Sequence, residues 1–297
     1  MTHYIGRFAP SPSGPLHFGS LMAALGSYFQ AKSRQGQWLV RMEDLDPPRE
    51  QPGAADSILR TLEDYHLEWD GHVVYQSQRH ELYQAQIDQW FKQGEAYYCQ
   101  CTRKQVKGMG GFYDGHCRTL NITQPLNCSV RLHIGQPVFE FTDLKHGKFV
   151  LPAELAQEDF IIKRRDGLYA YNLAVVLDDI EQGVTEVVRG ADLIEPTGRQ
   201  MSLYHQLNQP LPSYLHLPLA LDNNGNKLSK QNHAPAIDGL NKHQTLLHAM
   251  QCLGFAIEPS LRDGSMAEII LWGVENWSIK QLPESTKVTP RFSNGSV

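Results

Sequence analysis

The sequence predicts an α/β fold, in which an open parallel sheet is interrupted by an insertion and followed by a small helical region. Strand and helix signals alternate over residues 1–98, the pattern breaks over residues 99–165, and it resumes over residues 166–239. Such alternation is typical of parallel strands joined through helices. A chain of 297 residues is also long enough to bury a large core.

The first half of the sheet has the clearest local signals. Apolar side chains recur at helical spacing from Phe18 to Phe29, and Gly94 is placed to end a later helix. The first strand, helix and second strand form a βαβ unit. The predicted elements are a strand at residues 3–8, a helix beginning near His17, a strand at 37–42, and helices around 58–65 and 83–91.

The insertion, residues 99–165, reads as loops and strands, and the pattern of the first half then returns. Asp166-Gly167 is a favoured turn, which predicts a hairpin between strands at 159–164 and 168–171. Residues 240–297 are expected to be helical, with the polar last fifteen residues fraying. The elements predicted between these segments are a helix through residues 173–177, a strand at 184–189, a helix at 195–207, and a strand and turn leading to Asn224-Gly225.

Composition excludes several classes of protein. The apolar fraction of 41% and charged fraction of 20% exclude a disordered chain, and the net charge of −5 excludes an indiscriminate nucleic-acid binder. No apolar run is long enough to cross a membrane, so we expect a cytoplasmic protein with no membrane partner. A nucleic-acid partner would need a local basic path, for which the candidates are Arg103, Lys104, Lys107, Lys163, Arg164 and Arg165.

The segment from Pro10 to Ser20 joins the first strand to the first helix and carries the first chemical signal. A helix N-terminus presents unpaired N–H groups to a phosphate, and Gly19 would let that phosphate approach. His17 can donate a hydrogen bond to a phosphate oxygen. The alternative is a tight turn that His17 merely caps.

The second signal is the tetrapeptide Lys227-Leu228-Ser229-Lys230, which follows a late strand and a turn. Two ammonium groups three positions apart can reach one triphosphate and neutralise the charge that develops as pyrophosphate leaves. Lysines beside a turn are otherwise usually solvated, so the tetrapeptide carries little weight alone.

Together, the two signals resemble the nucleotide-binding signatures of class I aminoacyl-tRNA synthetases. Three further stretches, at residues 6–14, 41–46 and 188–192, look like the corresponding segments of glutamyl-tRNA synthetases. The resemblance implies a Rossmann-like sheet, ATP with Mg²⁺, and glutamyl-adenylate formed by attack of the glutamate α-carboxylate on the α-phosphate.

The resemblance also implies residue roles. Glutamate has two carboxylates and one ammonium, which suit Arg7, Arg189 and Glu43, with Ser11 and Tyr171 as further contacts. The implied ATP-binding residues are His17, Gly19, Ser20 and Lys230, and the implied catalytic donors are His17, Lys227 and Lys230. Ser20 stands where the family often has histidine, and Leu228 stands where methionine is frequent.

Length separates this chain from glutamyl-tRNA synthetases, because only 66 residues follow Gln231 and an anticodon-binding region does not fit. The chain resembles the short glutamyl-Q tRNA(Asp) synthetase family. That family activates glutamate without tRNA and transfers it to the queuosine base at the wobble position of tRNA(Asp). The alternatives are a truncated synthetase that charges the 3′ end of tRNA(Glu) and a non-catalytic RNA-binding relative. We expect a monomer that contacts the anticodon loop.

Three cysteines, Cys99, Cys101 and Cys117, lie within 19 residues of one another in the insertion. Zn²⁺ takes four ligands in structural sites, so one more is needed. Spacing favours His116, whereas the family resemblance implies Tyr113. The alternative is a set of three free thiols.

Overall fold

Five parallel strands lie side by side and carry the fold. The computed structural model describes residues 3–123, 126–222, 224–228 and 236–290. The order is β3-β2-β1 followed by β9 (Glu186–Gly190) and β10 (Ser213–Leu217), and the Thr185 backbone N–H donates to the Ile5 carbonyl (2.9 Å) where the two parts meet. The first half comprises β1 (Ile5–Phe8), α1 (Phe18–Lys32), β2 (Gln37–Met42), α2 (Ala54–Asp64), β3 (Val74–Tyr75) and α3 (His80–Gln93).

Helix α1 is the central packing element of the sheet. Its residues Leu21, Leu25 and Phe29, at helical spacing, are fully buried. Gly26 lets it approach the second half of the sheet, because a β-carbon there would lie 2.5 Å from Leu217 Cδ1. The predicted start of this helix and the bounds of the second strand are confirmed, and Gly94 ends α3 in a left-handed conformation with φ of 75°.

The insertion forms its own antiparallel sheet, β4-β5-β8, and a separate hairpin, β6-β7. The antiparallel sheet packs against α3, because its apolar residues, such as Val130 and Leu132, lie in one cluster with the buried face of that helix. The elements are β4 (Ala96–Cys99), α4 (Arg103–Gly108), β5 (Ser129–Leu132), β6 (Glu140–Asp143), β7 (Gly147–Val150), α5 (Ala153–Gln157) and β8 (Ile161–Lys163).

The hairpin predicted around Asp166-Gly167 is only partly present. Gly167 has φ of 89°, and the Arg164 N–H donates to the Leu168 carbonyl as a tight turn requires. The second arm is reduced to a single bridge between Lys163 and Tyr169. The prediction of a strand through residue 171 is wrong, because the next helix begins there.

The elements of the second half of the sheet and of the C-terminal region follow the predicted order. Two strands that the sequence did not predict are also present, β10 (Ser213–Leu217) and β12 (Lys287–Val288). The expected fraying is wrong for Lys287 and Val288, which pair with β11; residues 291–297 lie outside the described residues. None of the helices in the described ranges is long and apolar enough to span a membrane. The elements are α6 (Tyr171–Glu181), β9 (Glu186–Gly190), α7 (Ile194–Gln206), β10 (Ser213–Leu217), β11 (Leu219–Ala220), α8 (Lys242–Cys252), α9 (Met266–Glu275) and β12 (Lys287–Val288).

Candidate active site

A cavity of about 680 Å³ opens at the carboxyl ends of β1, β2, β9 and β10. This edge of a parallel sheet is where α/β proteins place their ligands. The cavity gathers all the predicted glutamate and nucleotide residues that the structure describes; Lys230 lies outside the described residues. The predicted residues lining it are Arg7, Ser11, His17, Gly19, Ser20, Glu43, Tyr171, Arg189 and Lys227.

The two nucleotide signatures meet at the N-terminus of α1. A β-carbon at Gly19 would lie 3.1 Å from the Leu228 carbonyl oxygen, so the lysine-bearing segment approaches the helix closely there. His17 caps the helix, because its Nδ1 accepts from the Ser20 backbone N–H at 3.2 Å. The ring proton is therefore assigned to Nε2, which lies 2.9 Å from Ser20 Oγ. The Nε2–H of His17 thus faces Ser20 Oγ, and both residues line the cavity.

Lys227 reaches the cavity from the turn after β11. Its ammonium lies 2.5 Å from Asp192 Oδ2, and both side chains are more than one-third exposed. The turn is held by Asp222, whose Oδ1 accepts from the Asn224 and Asn226 backbone N–H groups. A polar surface turn therefore carries the positive charge at this end.

Arg7 is buried in a charge network at the opposite end of the cavity. Its Nε and Nη2 donate to the two carboxylate oxygens of Asp179, at 2.9 and 3.2 Å, and Arg41 Nη1 donates to the same carboxylate at 2.8 Å. Burial alone would raise the pKa of Asp179, but the two guanidinium groups hold it below its ordinary value. Asp179 thus fixes one edge of the Arg7 guanidinium.

Glu43 follows β2 and borders the same network. Its Oε1 is buried and has no hydrogen-bond partner among the described residues, and it lies 3.6 Å from Arg41 Nη2. Burial raises the pKa of Glu43 to about 7, against the opposing charges of Arg41 and Arg7. A buried, unsatisfied carboxylate oxygen is a strong acceptor for a substrate ammonium.

Arg189, at the end of β9, is held from several sides. Its Nη1 donates to Gln200 Oε1 at 2.7 Å, and its Nη2 donates to Thr197 Oγ1 at 2.7 Å and to the Leu193 carbonyl at 3.1 Å. The contact from Nη1 to the Tyr171 hydroxyl is the longest, at 3.5 Å. Tyr171 and Arg189 therefore present a hydroxyl and a fixed guanidinium together.

Several supporting residues escaped the sequence predictions. The acidic pair Asp178-Asp179 within an apolar helix and His216 within an apolar strand were the available signals, since buried charges need partners. Arg41 lies in the stretch 41–46 that carries the family resemblance, although no role was assigned to it, and nothing local distinguishes Asp143, Thr197 or Gln200. The missed residues are Arg41, Asp143, Asp179, Thr197, Gln200 and His216.

A second cavity, of about 600 Å³, adjoins the first and shares the walls formed by Ser11, Glu43 and Tyr171. It lies between the loop that follows β2 and the segment around the end of β8. Arg164 Nη1 lies 3.7 Å from Asp46 Oδ2 across this space. A molecule in the second cavity would contact the Glu43 and Tyr171 side of the first.

The three predicted cysteines form a compact cluster in the insertion. The sulfur atoms of Cys99, Cys101 and Cys117 lie within 4.8 Å of one another. Tyr113 is buried beside them, and its hydroxyl accepts from the Cys117 N–H at 2.7 Å, whereas His116 is exposed. Three thiols with converging sulfur atoms can hold a metal ion.

The two basic groups differ in their surroundings. Arg103, Lys104 and Lys107 are exposed on α4. The group at residues 163–165 is engaged within the chain: Lys163 Nζ donates to Gln84, Arg164 pairs with Asp166, and Arg165 donates to the Gln100 and Cys101 carbonyls. The second group therefore secures the insertion, including the backbone of the cysteine cluster.

Comparisons with known proteins identify the family of the chain. A family model described as "tRNA synthetases class I (E and Q), catalytic domain" matches residues 5–256. A relative from Vibrio vulnificus (strain YJ016), named glutamyl-Q tRNA(Asp) synthetase, is 69% identical over 99% of this chain and 96% of its own length. Relatives of the same name from Vibrio parahaemolyticus (66%, both chains fully covered) and Escherichia coli K12 (57%, covering 99% and 96%) also match.

A solved glutamate-tRNA synthetase from Elizabethkingia anophelis has the same fold, with a TM-score of 0.80 at 23% identity. The match covers 98% of this chain and 68% of that chain. The predicted fold class is therefore confirmed. The chain belongs to the class I glutamyl- and glutaminyl-tRNA synthetase family and, within it, to the glutamyl-Q tRNA(Asp) synthetases.

Proposed function

We propose that the chain activates L-glutamate with ATP, without tRNA, and transfers the glutamyl group to the queuosine base at the wobble position of tRNA(Asp). The observation that carries the proposal is the single cavity in which both nucleotide signatures meet the Arg7, Glu43 and Arg189 set. Relatives that bear the name of this activity are 57–69% identical over nearly the whole chain.

The cavity supplies opposite charges for each charged group of glutamate. Arg189 and Tyr171 bind the side-chain carboxylate, Glu43 accepts from the ammonium, and Arg7 contributes a second guanidinium beside Glu43. Because Arg7 and Arg189 are already fixed by protein acceptors, little side-chain ordering is required when the substrate binds. Ser11 lines the same wall.

Activation joins the two substrates at the sheet edge. An α-carboxylate oxygen of glutamate attacks the α-phosphorus of ATP, the bond from that phosphorus to the bridging oxygen breaks, and pyrophosphate leaves with the electron pair. His17, the α1 N-terminus and Lys227 stabilise the developing negative charge, and Lys230 is assigned the same role from the sequence. Mg²⁺ on the ATP phosphates supplies further charge neutralisation when bound.

Transfer uses the second cavity. A hydroxyl of the modified base attacks the carbonyl carbon of glutamyl-adenylate, and the bond from that carbon to the phosphate oxygen breaks. AMP leaves with the electron pair, and the hydroxyl proton passes to the departing phosphate. The shared walls support this assignment, because an acceptor in the second cavity would lie beside the glutamyl group held at Glu43 and Tyr171. The anticodon loop then approaches between the loop after β2 and the insertion.

The cysteine cluster is proposed to hold one structural Zn²⁺. Cys99, Cys101 and Cys117 would supply three ligands and the buried Tyr113 the fourth. Arg131 supports this set, because its Nε donates to Cys99 Sγ at 3.3 Å and its guanidinium lies over the Tyr113 ring.

We place the enzyme in the cytoplasm, where its tRNA substrate is found.

The position of labelled glutamate on tRNA tests the proposed function. Mixed tRNA is incubated with the enzyme, ATP and radiolabelled glutamate, and then digested with nuclease. We expect the label on the wobble base of tRNA(Asp), and none on tRNA that lacks queuosine. Label on the terminal adenosine of tRNA(Glu) would show a truncated charging enzyme instead. Absence of glutamate-dependent ATP–pyrophosphate exchange would show a non-catalytic relative.

A further inference from the structure

A buried carboxylate–imidazole pair lies behind the guanidinium of Arg189. His216, on β10, is fully buried, and its Nδ1 lies 2.8 Å from Oδ2 of Asp143. Asp143 ends β6 of the insertion, so the pair joins the insertion to the sheet. Asp143 also accepts from the backbone N–H groups of Lys145, His146 and His216, each at 2.9 Å.

These contacts fix the position of the proton on His216. An ionised carboxylate only accepts, so Nδ1 carries the proton and donates to Asp143. Burial lowers the pKa of His216, which keeps the ring neutral. Burial alone would raise the pKa of Asp143, but the hydrogen bonds from His216 and the backbone hold it below its ordinary value.

The neutral ring leaves a lone pair on Nε2, which lies 3.3 Å from Arg189 Nε. Arg189 therefore donates to His216, while its other N–H groups reach Gln200, Thr197, Leu193 and Tyr171 as described above. Nε2 also lies 3.3 Å from the hydroxyl of Thr197, whose own proton is donated to the Leu193 carbonyl. If the proton were on Nε2, it would face the Nε–H of Arg189 in a buried site. The orientation of the guanidinium thus depends on the tautomer that Asp143 selects.

We propose that Asp143 and His216 are positioning residues that hold Arg189 in the orientation required for the side-chain carboxylate of the amino acid. The inference rests on the proposed function, in which that amino acid is glutamate. The insertion, through Asp143, then sets the affinity of the sheet edge for its substrate, although Asp143 does not line the substrate cavity.

Kinetics of two variants test this pair. For Asp143→Asn we expect the KM for glutamate in ATP–pyrophosphate exchange to rise about tenfold or more, the scale of one lost hydrogen bond to a charged group. The kcat and the KM for ATP should stay within about twofold, because the interaction lost is one of substrate binding. His216→Asn keeps a donor for Asp143 and loses the acceptor for Arg189, so its KM for glutamate should rise to the same degree.

Glu140→Gln is the matched control. It removes a carboxylate from the same strand, but within the described part of the chain Glu140 pairs only with the exposed Lys148. Its kinetic constants should equal those of the unmodified enzyme. An unchanged KM for glutamate in folded Asp143→Asn, or an equal rise in the KM for ATP, would overturn the positioning role.

A measurement on the unmodified protein covers the case in which neither variant folds. With ¹⁵N-labelled histidine, NMR should show His216 neutral and protonated on Nδ1 at pH 7, and a proton on Nε2 would overturn the proposal. Glutamate-dependent exchange by the unmodified enzyme is measured in parallel. Its absence would overturn the proposed function, whereas normal exchange with an unchanged KM in the variants would overturn only the positioning role.

Discussion

The two ends of the active-site cavity differ in how they hold their charges. At the amino-acid end, Arg7 and Arg189 are 3% and 5% exposed and are bound to several protein acceptors. At the phosphate end, Lys227 and Asp192 are more than one-third exposed and form a surface ion pair. Surface pairs contribute little to stability, whereas buried pairs are costly to break.

The difference indicates where the enzyme is preorganised. The positions of the buried guanidinium groups are set by the folded core. All the N–H donors of Arg189 have protein partners, so to meet a carboxylate it gives up only its longest contact, the one of 3.5 Å to the Tyr171 hydroxyl. The ammonium of Lys227 must exchange water and a carboxylate partner for a phosphate. We therefore expect mutations at the amino-acid end to affect folding and substrate binding together, and mutations at the phosphate end to affect mainly the chemical step.

The largest effect is expected for Arg7→Ala. Removing this guanidinium leaves the buried Asp179 with fewer partners, and we expect the free energy of unfolding to fall by about 3 kcal/mol. The kcat/KM for glutamate should fall by about 10³-fold or more, as a substrate-binding charge is also lost. Urea denaturation and pyrophosphate exchange measure the two quantities.

Lys148→Ala is the control for Arg7→Ala, because Lys148 forms an exposed pair with Glu140. It should change the unfolding free energy by no more than about 0.5 kcal/mol. If Arg7→Ala were as stable as this control, the amino-acid end would not be built on a buried ion pair, and the contrast between the two ends would be lost.

Lys230→Ala tests the phosphate end. We expect adenylate formation to slow by about 10²-fold or more, the scale for losing one charge contact in the transition state. Single-turnover formation of glutamyl-adenylate measures the rate. Pyrophosphate exchange at an unchanged rate would remove Lys230 from the mechanism. Lys104→Ala, on the exposed face of α4, serves as a control.

Glutamate binding should depend on pH through Glu43. Because burial raises the pKa of its carboxyl to about 7, the acceptor for the substrate ammonium is lost as pH falls through that value. In the absence of ATP, the Kd for glutamate should rise about tenfold per pH unit below 7 and level off above it. Calorimetric titration between pH 5.5 and 8.5, a range chosen at about 1.5 units on either side of that pKa, measures this dependence.

Glu43→Gln should bind weakly and without this pH dependence. The stability of the protein also depends on this carboxyl. The folded carboxyl binds its proton more tightly than the unfolded one does, so the contribution of Glu43 to the free energy of unfolding falls as pH rises from about 4.5 to 7. The difference in stability between the unmodified enzyme and Glu43→Gln should change over that window. A Kd that is constant from pH 6 to 8 would contradict the role of Glu43.

The smallest kinetic effect is expected at the cysteine cluster, which lies away from both ends. Tyr113→Phe should lower zinc affinity by about tenfold or more, whereas His116→Ala should leave it unchanged. Metal content after dialysis against a chelator series measures the affinity, and the KM values for glutamate and ATP should change by no more than about twofold. If His116→Ala lowered the zinc affinity and Tyr113→Phe did not, the fourth ligand would be His116.

Local patterns predicted much of the fold. The apolar spacing in α1 and the sequence of β2 define both elements within one or two residues, because their signals lie within the element itself. β12 was not predictable, since Lys287 and Val288 form a strand only by pairing with β11, which lies far away in the sequence.

The residues of the candidate site show the same difference between signals local to the sequence and contacts made only in the fold. Motifs whose residues are neighbours in the sequence predicted Arg7, His17, Glu43 and Arg189, and these residues line one cavity. The pair of Asp143 and His216 is separated by 73 positions, and no spacing rule joins them. Asp179 and Gln200 could not be predicted for the same reason, because their partners are defined only by the packing of α6 and α7 against the sheet.

The short pairing of β11 with β12 has a practical consequence for anyone who trims or tags this enzyme. The Thr286 carbonyl accepts from Leu219, and Leu221 donates to Val288, so the far end of the chain supports the strand from which Leu228 and Lys227 extend. Engineered versions should retain residues 286–288 and separate any C-terminal fusion partner from them by a spacer. Deleting residues 286–290 would impair ATP handling although none of these five residues lines the cavity.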